Sequence, residues 1–154
     1  MGALWSITGD LTVSSEVYHQ SLGASDPADY LNQLSDDRYA RGELWLAGTT
    51  YGSLAVSQQI TPLVMATASA IANLGDGSAL VAPNATVSVS DEVQLVVGGF
   101  VGLGDRPAVV DAMDLLDPET GLPLPTETLN QSLGIRSEFG MYPSNAYVQM
   151  KAYF

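Results

Sequence analysis

The chain has 154 residues, a mass of 16.2 kDa and a formal net charge of −12, from 17 acidic and 5 basic side chains; the length suits a single domain, and the charge excludes the basic footprint that a nucleic-acid binder needs. Cysteine is absent, which rules out a disulfide framework, a thiolate metal site and a cysteine nucleophile. Only 14% of the residues are charged, against a usual ~25%, and no apolar run reaches the ~18 residues of a transmembrane helix.

The opening Met1-Gly2-Ala3-Leu4-Trp5 leads directly into alternating sequence and lacks a signal-peptide pattern, so an exported protein would be a mature form or a fragment of a longer precursor. Period-two alternation then predicts a first strand over about 3–20. Trp5, Ile7, Leu11, Val13 and Val17 are apolar; Ser6, Thr8, Asp10, Thr12, Ser14, Glu16 and Gln20 are polar. A long connection, 21–40, follows. In it Ser25-Asp26-Pro27 is a helix cap with proline at the first helical position, leading into Ala28 to Leu34. The second strand, about 41–57, sets Leu44, Leu46, Gly48, Leu54 and Val56 against Glu43, Thr49, Tyr51, Ser53 and Ser57. After a tight turn at Gln58 to Thr61 comes the third, about 62–74, an alanine-rich face opposite Thr67, Ser69 and Asn73.

Gly75-Asp76-Gly77-Ser78 is a turn. The fourth strand, about 79–90, carries Ala79, Val81, Ala85, Val87 and Val89 on one face. The fifth, about 92–103, follows the tight Ser90-Asp91 turn with Val93, Leu95, Val97, Val101 and Leu103. A second long connection, 104–134, holds a helix signal from Arg106-Pro107 through Ala108 to Leu116, ending at Asp117-Pro118. The sixth strand, about 135–154, changes its apolar parity across Tyr142-Pro143-Ser144, which predicts a bulge or kink. It ends in ten alternating residues, Asn145 to Phe154, the length of one crossing by a membrane β-barrel.

The expected fold is thus all-β: one unit over 1–154, an antiparallel meander of about six long strands forming part of a transmembrane β-barrel, with short helices in the outer loops. If the last strand runs down to the periplasm, the long connections and Gly75–Ser78 fall outside and the tight turns inside, as in such barrels. The charged residues assigned to strands, Asp10, Glu16, Arg41, Glu43, Arg136, Glu138 and Lys151, all fall on the polar face. They are candidates to line a lumen and set its selectivity, or equally to form structural ion pairs. A charge on the other face would cost roughly 2–4 kcal/mol at mid-depth in lipid. The polar faces are mostly Ser, Thr, Asn, Gln, Gly and Tyr, which suits a lumen better than the Lys- and Glu-rich outside of a soluble sandwich.

Three stretches carry a family resemblance: Ala146 to Phe154, the turn Ser88-Val89-Ser90-Asp91-Glu92-Val93-Gln94-Leu95, and the strand end Gly98-Gly99-Phe100-Val101-Gly102-Leu103-Gly104. With these the chain resembles the carboxy-terminal part of a Gram-negative outer-membrane β-barrel protein. The resemblance implies an outer-membrane location and lipid as a partner. It also implies recognition of the terminal strand by the outer-membrane assembly machinery, a role that would fall on Val148, Met150, Tyr153 and Phe154. Ala152 departs from the pattern, standing where a larger apolar or aromatic residue is common. Six strands are fewer than the eight with which single-chain barrels begin, so the reading requires further β-strands, from a longer chain or from other subunits.

Other candidates are weaker. His19 is the only histidine, and a rim position explains it. Asp111, Asp114, Asp117 and Glu119 form the densest acidic group but lack the spacing and glycine of an EF-hand loop. Tyr18, Trp45 and Tyr51, with Trp5, Tyr147, Tyr153 and Phe154, could form aromatic girdles. No metal or cofactor is expected. The expected role is non-enzymatic, a passive channel or structural element in the outer membrane. A soluble or surface-exposed β-sandwich binding module is the first alternative and an outer-membrane hydrolase the second.

Overall fold

Strands dominate the computed structural model, which describes residues 1–107, 116–125 and 134–153. In chain order they are β1 (Gly2–Thr8), β2 (Leu11–His19), β3 (Thr50–Thr61), β4 (Val64–Asn73), β5 (Ala79–Ser90), β6 (Val93–Leu103) and β7 (Asn145–Ala152). They form one sheet in the order β1-β2-β3-β4-β5-β6-β7, every neighbouring pair antiparallel. β1 and β7 are its edges, and the sheet is open. Two short helices, α1 (Tyr30–Leu34) and α2 (Asp37–Ala40), and 3-10 turns at Pro27–Asp29 and Phe139–Met141 lie in the connections. Asp26 caps the first turn, accepting from the Ala28 amide at 2.9 Å.

The sheet has seven strands where the sequence predicts six. The stretch 3–20 is a hairpin, turning at Gly9-Asp10, with Trp5 opposite Val13. Alternation does not reveal this reversal. From Ser6 to Gly2, residues facing one another across the hairpin have the same parity, with a register shift only beside the turn, so the apolar face passes from strand to strand without a break in the pattern. The turn after β3 lies at Pro62-Leu63 rather than 58–61; Pro62 lacks the N–H a ladder would use.

Two predicted strand stretches are not strands. Residues 41–49 precede β3, and their backbone groups are taken elsewhere. Leu46 and Gly48 carbonyls accept from Gln20 Nε2 at 2.8 and 2.6 Å, and the Ala47 amide donates to Glu138. Residues 135–144 form a buried 3-10 turn and a loop, and β7 starts only at Asn145, beyond Pro143. The parity change at 142–144 marks that end of the loop, not a bulge. The expected helix at 108–116 lies outside the described residues apart from Leu116, which bridges to Pro123.

Residue pairing separates the two faces. On one, Val13, Val56 and Ala68 lie in a row, and Leu95, Val97 and Ala152 join Met150, Val148 and Val93 across β6 and β7. On the other lie Thr12, Ser57, Thr67, Asn84, Gly98 and Tyr147, a single row from β2 to β7. The ladder between β5 and β6 lapses between Val81 and Asn84, where Pro83 has no amide hydrogen to give.

The tight turns Gly9-Asp10, Pro62-Leu63 and Asp91-Glu92 fall at one end of the sheet; 20–49, 74–78 and the stretches 104–107 and 134–144 that flank β6 and β7 fall at the other. The buried core is small and sits at this second end. Tyr30, Ala47 and Ile135 form its centre, with Ala24, Leu31, Leu34 and Met141 packed around them.

Candidate functional site

The sheet wears its apolar side outward. On β6, Val96 on the polar face is 9% exposed, while its neighbour Val97 on the apolar face is 44% exposed. Trp5, Val17, Leu54, Val101, Leu103, Val148 and Met150 share the exposed face. Along β6 the polar face is the more sheltered one. A trough along it is lined by Ser14, Ser53, Ala55, Ser69, Ile71, Leu80 and Ala82, and Ser57 and Thr67 hydroxyls meet across it at 3.1 Å.

Charge is nearly absent from the strands. Glu16 near the long-connection end and Lys151 near the turn end are the ionised residues of the seven strands, both on the polar face. The other lumen candidates lie elsewhere. Asp10 is in the first tight turn. Arg41 and Glu43 pair with each other at 2.8 Å on an exposed loop, a surface contact that contributes at most about 1 kcal/mol. Arg136 is exposed, in the loop before β7. Glu138 is buried, 3% exposed.

Glu138 is the centre of a polar anchor at the long-connection end of the sheet. The Ala47 amide donates to its Oε1 at 2.8 Å. Its Oε2 takes the Tyr51 hydroxyl at 2.5 Å and Asn73 Nδ2 at 2.8 Å. Asn73 also donates to the Tyr30 hydroxyl, which in turn donates to Asp76 Oδ2 at 3.0 Å. Asp76 accepts the Glu138 amide on the same oxygen at 2.7 Å and the Ser78 amide on Oδ1 at 2.8 Å. Six segments thus meet: 44–48, α1, the ends of β3 and β4, the 74–78 turn and 134–142. Each carboxylate oxygen in the cluster has a donor, so the cluster holds parts together and leaves no oxygen aimed at open space.

Aromatic rings extend the anchor. Tyr18 and Tyr51 lie 6.5 Å apart, Tyr51 and Phe139 6.3 Å edge-on, and Phe139 and Tyr142 5.8 Å. Tyr18 and Tyr51, candidates for a girdle, lie on the polar face, where the alternation puts Tyr51, and join this row; Trp5 is exposed on the apolar face.

Two glycines make the close approach possible. A Cβ on Gly102 would collide with the Phe139 carbonyl, with the Tyr142 carbonyl 2.9 Å away; one on Gly48 would collide with Asn73 Nδ2. Gly102→Ala is expected to cost about 1–3 kcal/mol by overpacking and to raise protease cleavage within 134–144. Unchanged protection of that segment would show that it does not sit on β6 as described.

Burial pushes the Tyr30 hydroxyl well above its ordinary range, helped by the nearby Asp76 charge. Burial also raises Tyr142, with smaller effects from Tyr39 and Glu138. The folded state therefore favours the neutral phenols. Its stability from them is complete below the usual tyrosine value of about 10 and declines as pH rises past it. Proteolysis of 20–49 is expected to accelerate above that pH before strand circular dichroism changes. Loss of both signals together would contradict a separate anchor.

The remaining candidates are dispersed. His19 Nδ1 contacts Thr50 Oγ1 at 2.9 Å at the exposed end of β2. Asp117 accepts the Glu119 and Thr120 amides at 2.8 and 3.2 Å and so shapes its own turn. Asp111, Asp114 and Phe154 lie outside the described residues. Among the described residues no three His, Cys, Asp or Glu side chains gather as metal ligands. Val148 and Met150 stand on the apolar face of β7, 70% and 72% exposed, and Tyr153 follows the strand, its amide bonded to the Glu92 carbonyl at 2.9 Å. No described helix is long and apolar enough to cross a membrane, which says nothing of strands. Compared with known proteins, the chain matches no family model, no curated protein and no solved structure.

Proposed function

We propose that the chain is a segment of a bacterial outer-membrane β-barrel that serves as a passive channel or structural element, with its apolar face toward lipid and its polar face toward a lumen. The observation that carries this reading is the inverted placement of the two faces. Eight large side chains of the apolar face, Trp5, Val17, Leu54, Val97, Val101, Leu103, Val148 and Met150, are 41–72% exposed. Full burial of such a side chain stabilises by about 1.5–3 kcal/mol, so covering eight half-exposed ones is worth about 6–12 kcal/mol. That equals the whole stability of many domains, about 5–15 kcal/mol. Something must cover the face. Lipid suits it because strands of 7–12 residues, at about 3.3 Å per residue and a tilt near 40°, span roughly the ~25 Å apolar band of such barrels. The polar face, rich in hydroxyls and amides, suits water.

A second sheet could also cover the face, as in a β-sandwich binding module. Flotation separates the two. A barrel segment floats with lipid vesicles, needs detergent for extraction and migrates differently on a denaturing gel when unheated. A protein that is monodisperse and monomeric without detergent would sink the barrel reading.

A further inference from the structure

We infer that the trough on the polar face is a binding site for a small amphipathic cation, an ammonium with a short aliphatic body. Its charge sits on Glu16 and its body lies over Ile71 and Leu80. The site belongs to the sheet itself, so it stands whether lipid or a second sheet covers the other face.

Cross-strand pairing assembles it. Gly2, Glu16, Ser53, Ile71, Leu80 and Gly102 form one row from β1 to β6 on the polar face. The row grades from a carboxylate through a hydroxyl to two branched aliphatics. Beside it runs a row of smaller side chains, Ser14, Ala55, Ser69 and Ala82. Two cavities of about 320 Å³ each lie here, and both reach Ser14 and Ser53; one takes in Glu16, the other Ile71 and Leu80. Small-molecule sites begin at about 300 Å³ and combine apolar lining with a few polar groups that fix orientation.

The polar end has no partner within the protein. Lys151 lies five strands away, on β7 at the turn end. The Met1 ammonium is held by the Val17 carbonyl at 2.8 Å, and among the described residues the one ion pair joins Arg41 to Glu43. The cross-strand neighbours of Glu16, Gly2 and Ser53, are small and leave its carboxylate open. Ser69 gives its hydroxyl to the Ala82 carbonyl at 3.3 Å; among the described residues those of Ser14 and Ser53 bond to no protein group. One carboxylate and two hydroxyl oxygens match the three N–H donors of a primary ammonium. Tyr18, next on the same face of β2, adds an aromatic neighbour of the kind that favours a cation.

The spacing sets the length of the body. Strands lie about 4.8 Å apart, so Ile71 is about 10 Å and Leu80 about 14 Å from Glu16 across the sheet. An ammonium on Glu16 with a chain of about six carbons therefore covers Ile71 and reaches the edge of Leu80.

Hexylammonium is the probe, and methyl NMR reads the site residue by residue, in lipid nanodiscs or in buffer according to which keeps the protein folded. The Ile71 and Leu80 methyl signals are expected to shift saturably. Hexanoate and 1-hexanol, which carry the same body without the positive charge, should bind about fivefold more weakly or worse. Glu16→Gln keeps the shape and should weaken hexylammonium about fivefold, the size of an exposed charge pair, while leaving 1-hexanol unchanged. Ile71→Ser should weaken both. Equal binding by hexanoate, or an unchanged affinity in Glu16→Gln, overturns the inference. So do shifts confined to the Leu54 and Val97 methyls, which report partition into lipid at the apolar face. Flotation reads the barrel proposal separately, so the two can fail independently.

Discussion

Glu138→Ala is expected to release the end of the sheet that carries the long connections while leaving most of the strand ladder formed. The substitution removes a side chain that is 3% exposed and accepts three hydrogen bonds. It orphans the Ala47 amide, the Tyr51 hydroxyl and one Asn73 amide hydrogen. Each buried group left without a partner costs about 1–3 kcal/mol, and bonds to a charged acceptor stand at the upper part of that range. Relaxation and entering water recover part of this, so the expected loss is about 3–5 kcal/mol. Glu138→Gln retains one acceptor but turns an NH2 group toward donors, and should lose about half as much. Limited proteolysis within 20–49 and urea unfolding measure the two consequences. If 20–49 stays as resistant as in the parent and the unfolding midpoint is unmoved, Glu138 is not the anchor.

Val97→Arg has the second large effect, and its size depends on what covers the apolar face. Val97 lies near the middle of β6, between Ala85 of β5 and Val148 of β7. In lipid an arginine there costs roughly 2–4 kcal/mol. At 1.4 kcal/mol per tenfold, the equilibrium constant for the folded, membrane-inserted state falls about 30- to 700-fold. In water the same change at an exposed site stays within about 0.5 kcal/mol. Thr86→Arg is the control, since Thr86 lies on the polar face opposite Val96. Vesicle flotation and heat-modifiable migration of both variants give the answer. Equal insertion of Val97→Arg and Thr86→Arg would contradict a lipid-facing apolar side.

The division of the sheet into two faces was legible because it rests on parity alone. Trp5, Val13, Val56, Val97 and Val148 can be sorted without knowing where the chain turns. The Gly9-Asp10 reversal was not legible, because that turn preserves the phase of the alternation. The role of Glu138 was hidden for a different reason. It sits among Ile135, Ser137 and Phe139 in a stretch that alternates like a strand, but its partners Ala47, Tyr51 and Asn73 are 91, 87 and 65 residues away. Local pattern carries no information about such pairs. One signal did exist: the parity break at Tyr142-Pro143-Ser144, with Gly102 and Gly104 unable to cover their own face, marks a place where another segment must lie on the sheet.

The spread of those separations also bears on how the chain reaches its fold. Each strand pairs only with its neighbours in sequence; four of the six connections are short, and the two long ones, 20–49 and 104–144, add a closure cost that rises only slowly with length. The bond between Glu138 and the Ala47 amide spans 91 residues and finds its pocket only after β3, β4 and the 74–78 turn have come together. The anchor thus depends on contacts distant in sequence and not on the hairpins alone. Without that bond the hairpin ladder would keep its pairing, but the 44–48 segment would be unlatched from the sheet.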